Sequence, residues 1–338
     1  MRYPPLRPLV FMAMAGTLIM SVMVYHRDNL AAGYDNVVST VKTTAANNNI
    51  PLPFTGNTPQ APVDNYISVC LAIKDQRNDL PQFLNHHYYN MGVGKFFLMD
   101  DGTTPPLSQM TDEELTIPRS AIEFHYYKPE KHERWMQYTL YNHCVQFARN
   151  STTTNTTWMA FIDADEFIDA PGPQTLREIL EDYERVEAIG AVGLNWRLHT
   201  SNGHLTRQPS IIDAFTECIY DDDEHQGEGS NNRHIKSIVR VKTYHQPHDP
   251  HYFYLTENHI TVGENGDQVN SALRWPITRN RLALHHYAIK SKEEFEEKMQ
   301  RGSAMSNKKG WDTWELYEEK NPHVPCTEML RWSPTQKK

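Results

Sequence analysis

Short apolar runs recur between residues 66 and 287, separated by amphipathic stretches, and the alternation predicts strands and helices in turn. Residues 66–73 have the apolar content of a sheet interior. Leu80, Phe83, Leu84, Tyr88 and Met91 follow at helical spacing, with Asp79 as the expected cap, Gln82 in the capping-box position and Gly92 and Gly94 as the stop. A strand over 95–99 ends at Asp100, Asp101 and Gly102, and residues 122–126 predict another. In a long helix over 134–149, Met136, Leu140, Cys144 and Phe147 recur on one side. Thr175 with Glu178 caps a helix whose inner face is Leu176, Ile179, Leu180 and Tyr183, and residues 188–197 return as a strand. Strands alternating with helices argue for an α/β domain with a mostly parallel, doubly wound sheet. Past Leu198 the pattern loosens into polar loops, with strand-like pieces at 235–242 and 281–287 and a helix capped by Ser291 and Glu294 that carries Phe295 and Met299.

The chain is organised around residues 157–167. Trp158 to Ile162 carry no charge and no alternation, which suits a strand covered on both faces; Asp163 and Asp165 follow at once. Two apart, they are expected to share a face at the carboxyl end of the strand, where open α/β sheets bind their ligands. Magnesium or manganese at a phosphate site takes one or two carboxylates from the protein, and Asp-x-Asp supplies them. Asp221 and Asp223 repeat the triplet without such a strand and read as an exposed acidic loop.

Composition narrows the partners. The 338 residues carry a net charge of -9, which leaves no basic surface suited to nucleic acid. Cys70, Cys144, Cys218 and Cys326 lie far apart, with no zinc or redox spacing. Residues 8–25 form an uncharged, mostly apolar run long enough to cross a bilayer, preceded by Arg2 and Arg7. This predicts a cytosolic tail over 1–7, a transmembrane signal anchor over 8–25 and the remainder across the membrane. Residues 26–64, rich in Ala, Asn, Thr and Pro, read as a flexible stem before one domain over 65–335, with a first half at 65–197 and a second at 198–335. Sequons at Asn150 and Asn155 fit a lumenal chain.

Several blocks then resemble a known family in its order. They are Lys74-Asp75, the helix from Leu80, Gly92-Val93, Asp100-Asp101-Gly102, Tyr141-Asn142-His143-Cys144, Phe161 to Phe167, His234 to Arg240, and His286-Tyr287 with Lys290-Ser291 and Phe295. Together they resemble the glycosyltransferase family 92-like domain and its family 2-like relatives. Gln76 departs from the pattern, since an acid usually stands there. The resemblance implies a GT-A fold, a nucleotide-sugar donor, a divalent metal and a Golgi membrane enzyme of single-pass type II topology with a lumenal catalytic domain. It implies transfer of a hexose, galactose favoured, from a UDP-sugar to a glycan acceptor with inversion. A catalytically silent glycan-binding relative and a glycoside hydrolase are the competing readings.

On this footing Asp165 is expected to ligate Mn2+ or Mg2+ directly, with Asp163 on the ribose or a metal-bound water and His286 as a third ligand, His285 being its alternative. Asp75, Asp100, Asp101 and Lys236 are expected on the nucleotide-sugar, although Gly102 also suits a plain Asp-Gly turn at 100–102. Inverting transfer needs a base. Among Asp213, Glu217, Glu257, Glu264 and Asp267, the glycines around Glu264 and Asp267 favour those two, on a loop that closes over the donor. Trp196, Tyr252, Phe253 and Trp275 are offered as sugar-stacking rings.

Overall fold

The computed structural model describes residues 61–221, 227–305 and 309–333. The expected tail, anchor and nearly all of the stem lie outside the described residues; among those described, no helix is long and apolar enough to cross a membrane.

The first strand, β1 (Ile67–Ile73), leads through a turn into α1 (Leu80–Asn85), which continues as a single wider turn over His86–Asn90. β2 (Lys95–Asp100) and β3 (Ile122–Tyr126) follow, then α2 (Met136–Asn150) and β4 (Trp158–Phe161). A short turn joins β4 to β5 (Glu166–Asp169), after which come α3 (Leu176–Glu184) and the long β6 (Ile189–Leu198). The second half adds β7 (Glu217–Ile219), β8 (Ile235–Arg240), the hairpin β9 (Tyr244–Pro247) and β10 (Phe253–Leu255), and β11 (Ile260–Val262) with β12 (Gln268–Val269). It ends with β13 (Ala283–His286), α4 (Lys292–Arg301) and β14 (His323–Pro325).

The central sheet runs β12-β11-β6-β8-β4-β1-β2-β3. β1, β2, β3 and β4 pair in parallel, while β8 is antiparallel to both β4 and β6, so β6 and β11 again point with β4. A mostly parallel α/β sheet is what the alternating pattern predicts. The sequence pattern did not reveal that β8, from the second half, sits in the middle between two strands of the first. All four residues of β4 are buried, as a strand covered on both faces requires. α2 packs Met136, Leu140, Tyr141 and Cys144 onto Phe97, Met159 and Phe161.

Capping differs in one place. The boxes at Thr175–Glu178 and Ser291–Glu294 form as read. Asp79 makes no side-chain cap; its carboxylate goes to Lys290 at 2.7 Å and Arg207 at 3.1 Å, and Gln82 bonds Ile211 and Pro209 instead. Asp221 is not a solvated acid either, since it pairs with Arg197 at 2.9 Å and Arg279 at 2.6 Å, while Asp223 lies outside the described residues.

Two disulfides staple the domain: Cys70 of β1 to Cys144 of α2 across 74 residues, and Cys218 of β7 to Cys326 beyond β14 across 108. Closing loops of that length stabilises by on the order of 4–5 kcal/mol each in the chain-entropy treatment.

Candidate functional site: a basic cavity at the strand ends

β4 stops at Phe161, and Asp163 and Asp165 stand in the turn to β5 rather than on a strand. The turn is closed reciprocally: the Asp163 amide donates to Glu166 Oε2 at 2.8 Å, and the Glu166 amide donates to the Asp163 carbonyl at 2.9 Å. β13 then pairs antiparallel with β5, with His286 opposite Glu166, and the Tyr287 amide donates to the Asp165 carbonyl at 2.8 Å. That register carries His286 to the carboxylates across more than a hundred residues of sequence. His285 points the other way, as its strand position demands.

A cavity of about 560 Å³ opens beyond the carboxyl ends of β1 and β4, walled by Asp163, Asp165, His286, Lys236 and Trp196 with the start of α2 and the end of α4. Its size is that of a small-molecule site. Six lysines and arginines line it (Lys74, Arg134, Lys236, Lys298, Arg301, Lys309) against the four acids Asp101, Glu133, Asp163 and Asp165. In a chain whose net charge is -9, this is a local reversal of sign that favours an anion.

Each carboxylate of the pair already faces an ammonium. Asp163 Oδ2 takes Lys236 Nζ at 2.9 Å and its Oδ1 accepts from Gln137 at 3.1 Å. Asp165 Oδ2 takes Lys298 Nζ at 2.7 Å. Burial would lift the Asp165 carboxyl, but Lys298, His286 and Lys290 together hold it below the ordinary carboxylate range. Burial pushes Glu166 the other way, well above that range, and the neighbouring carboxylates of Asp163 and Asp165 add to it against the pull of Lys236. Lys236, only 1% exposed, keeps its charge because Asp163 and Glu166 outweigh its burial.

Burial also lowers His286 to about 3, so its imidazole is neutral near pH 7. Its Nε2 stands 3.7 Å from Asp165 Oδ1, and its buried Nδ1 faces Glu166 Oε1 at 3.8 Å, neither of the latter two atoms having a hydrogen-bond partner. Two donors each ~2.1 Å from one magnesium-like ion are separated by roughly 3–4 Å. Asp165 Oδ1 and His286 Nε2 meet that requirement, one a hard oxygen and the other an imidazole lone pair. A divalent cation therefore fits this pair, with Asp163 held aside by Lys236.

The other expected site residues divide. Asp101 lines the cavity; its Oδ2 accepts from His132 Nδ1 at 2.7 Å while its buried Oδ1 has no partner, and burial raises its pKa against the His132 contact. Asp100 ends β2, and its carboxylate holds the turn that follows by accepting the amides of Thr103 and Leu107, both at 2.9 Å. Asp75 is exposed, at a φ of 48°, and does not line the cavity as its neighbours Lys74 and Gln76 do. Lys236 lines it, but with its ammonium engaged by Asp163 rather than open to a phosphate.

Glu264 and Asp267, expected as the base, are both structural. The Glu264 carboxylate, on a residue 1% exposed, accepts the amides of Asn280, Arg281 and Leu282 at 2.9, 2.7 and 2.9 Å. Asp267 grips Arg274 with two hydrogen bonds of 2.7 Å. Gly263 serves close packing, since a Cβ there would lie 1.9 Å from the Arg274 side chain, and Gly266 turns the chain at a φ of 80°. Neither acid reaches the cavity. Arg240 is likewise internal, donating to the carbonyls of Tyr183 and Val186 on a buried central strand.

Of the aromatic residues offered for stacking, Trp196 lines the cavity against His286, with ring centroids 4.4 Å apart. The sequence reading passed over Trp135, which is exposed on the cavity wall at a φ of 63° with Arg134 stacked on it. It also passed over His132 and Lys298. Lys298 follows Phe295 by three residues, so the inward face of the helix was the available signal. His199, His285 and Cys326 cluster behind the site, but the Cys326 sulfur is bonded to Cys218 and offers no thiolate.

Fold and cavity thus define an α/β protein with an anion-attracting, cation-compatible site at its strand ends. No family model matches the chain. In sequence it is similar to a glycosyltransferase family 92 protein of Oryza sativa subsp. japonica, 31% identical over 212 residues, which take in 60% of this chain and 32% of that protein. The chain spans about a third of the length of that curated relative. Among solved structures it is similar to a mannosyltransferase from Pyrobaculum calidifontis in complex with GDP-mannose and Mn2+, at 15% identity over 50% of this chain and 46% of that one, with a TM-score of 0.25.

Proposed function

We propose that this chain is a metal-dependent glycosyltransferase that moves a hexose from a nucleoside diphosphate sugar to a glycan. The observation that carries the reading is the cationic cavity at the carboxyl ends of β1 and β4, with Asp165 Oδ1 and His286 Nε2 open to one another at its wall. The similarity to a family 92 protein supports a sugar-transfer substrate for that cavity. Following the family resemblance, the donor is a UDP-sugar with galactose favoured, the transfer inverts, and the protein is a Golgi membrane enzyme anchored through residues 8–25.

Asp165 and His286 would hold Mn2+ or Mg2+, which when bound neutralises the charge that develops on the leaving diphosphate. Lys298, Arg301 and Lys309 place further cations in the same wall. Lys236 fixes Asp163 beside them, and Asp101 lines the same cavity beyond the end of β2, with its Oδ2 on His132. Inversion is a single displacement: the acceptor oxygen bonds the anomeric carbon as the bond to the diphosphate breaks, and the acceptor proton passes to a base. His132 suits this role, because Asp101 takes its Nδ1–H and leaves Nε2 for the proton.

Titrating UDP and GDP into the protein with and without Mn2+ tests the reading, alongside Asp165→Asn. The wild type is expected to bind a nucleoside diphosphate more tightly with Mn2+ present, and Asp165→Asn to lose that gain while remaining folded. Absence of any nucleotide binding by the wild type would refute the proposal. Binding without sugar transfer to any acceptor would favour the silent glycan-binding reading instead.

A further inference from the structure

The two lysines on the Asp-x-Asp turn are not equivalent. Lys236 comes from the central strand β8, is fully enclosed, and is shared by Asp163 at 2.9 Å and Glu166 at 3.7 Å. Lys298 comes from the last turn of α4, its side chain is 20% exposed, and its other contact is the Ala288 carbonyl at 2.8 Å. It bonds Asp165 Oδ2, while Oδ1 of the same carboxylate is the atom that faces His286. A divalent ion on Oδ1 would then share one carboxylate with an ammonium, and like charges so close repel. Nearby lie more cations: Lys290 acts on Asp165, and Arg301 and Lys309 line the same wall. Lys290 is itself held by Asp79 at 2.7 Å and Glu294 at 3.1 Å, and burial and the closeness of Lys298 push the Lys309 ammonium below its ordinary value against the pull of Asp165, Asp163 and Asp312.

We infer that Lys298 is an exchangeable counter-ion: it neutralises Asp165 in the free protein, yields that carboxylate to the divalent cation, and passes its ammonium to the diphosphate oxygens of the donor. The inference rests on the proposed function and adds a positioning and charge-neutralising residue to it. It makes metal and nucleotide binding mutually reinforcing, since each draws Lys298 off, or profits from its leaving, the carboxylate that the other does not use.

The test measures equilibrium binding of Mn2+ alone and of UDP alone to the wild type, Lys298→Met and Lys298→Arg, by calorimetry and by the paramagnetic signal of free Mn2+. Lys298→Met is expected to bind Mn2+ about tenfold or more tightly, because a charge-assisted competitor has gone, and metal-free UDP about tenfold or more weakly. Lys298→Arg should keep both affinities near the wild type. Unchanged Mn2+ and UDP affinities in Lys298→Met would overturn the inference while leaving the functional reading intact, whereas a wild type that binds neither ligand overturns both. A second measurement needs no variant: reductive methylation of the wild type read residue by residue by mass spectrometry. Mn2+ alone should raise the labelling of Lys298, and Mn2+ with UDP should suppress it; labelling indifferent to both ligands overturns the inference.

Discussion

Lowering the pH from 7 to 5 should destabilise this domain steeply, through buried histidines that are neutral in the fold. Burial holds His86 to about 4, against a hydrogen bond from its ring to the Ile168 carbonyl, and holds His251 to about 3, with Lys236 adding to the effect. Both are neutral in the folded chain and would charge near 6.5 when unfolded, so their contribution is whole above that value and is lost as the pH falls toward the folded one. At pH 5 each loses about RT ln(1 + 10^1.5), roughly 2 kcal/mol, and because pH 5 lies above both folded values the result hardly depends on them. The pair removes about 4 kcal/mol, out of the 5–15 kcal/mol that typically holds a domain together. His87 and His199, also held well below their ordinary value by burial, act in the same direction. Glu166 acts in the opposite one, since its raised carboxyl is relieved as the solution acidifies. Carboxylates held low, Asp79 and Asp169 among them, contribute only in the more acidic range below their unfolded values. Urea unfolding at pH 7 and pH 5 would show the loss as a shift in midpoint at constant slope, and His86→Gln should shrink it by about 2 kcal/mol. Equal midpoints at the two pH values, or a His86→Gln protein with the full wild-type shift, would refute the reasoning.

Two further outcomes separate scaffold from chemistry. Glu264→Ala removes the acceptor of three amides, one of them, that of Leu282, fully buried, and should lower stability by roughly 1–3 kcal/mol while leaving nucleotide affinity unchanged below the melting range; a loss of affinity in a still-folded protein would return Glu264 to the site. His132→Gln should lower kcat on the order of a hundredfold or more with little change in donor KM; an unaltered kcat would remove His132 as the base.

Most of the first half of this fold is legible in the sequence because each element carries its own local signal. Apolar runs placed β1, β2, β3, β4 and β6 to within a residue or two at each end, and reciprocal Thr–Glu and Ser–Glu spacing marked the starts of α3 and α4. The resemblance read from the ordered blocks agrees with the similarity to a family 92 protein. Long-range pairings are a different matter. That Asp163 and Asp165 share a wall follows from a turn closed by Glu166, not from strand alternation, and that His286 joins them follows from the β5–β13 register. The backbone contacts of Glu264 were hidden for a related reason. Glycines beside an acid signal a mobile loop or a crowded one with equal force, and only the position of Arg274 distinguishes the two. Lys298 and His132 escaped notice because their partners lie far away in sequence.

The placing of β8 between β4 and β6 bears on how the chain is made. As the protein leaves the ribosome, β1, β2, β3 and β4 can assemble as soon as β4 itself is out, but β4 then presents an unpaired edge to the cell. Its neighbour β8 emerges only after about 80 more residues, which at 5–20 residues per second is roughly 4–16 s of translation. During that interval an apolar strand, Trp158-Met159-Ala160-Phe161, has half its backbone hydrogen bonds unmade. The centre of this sheet therefore closes well after the β1–β4 rim, and newly made chains should depend on chaperones at the β4 edge during that interval.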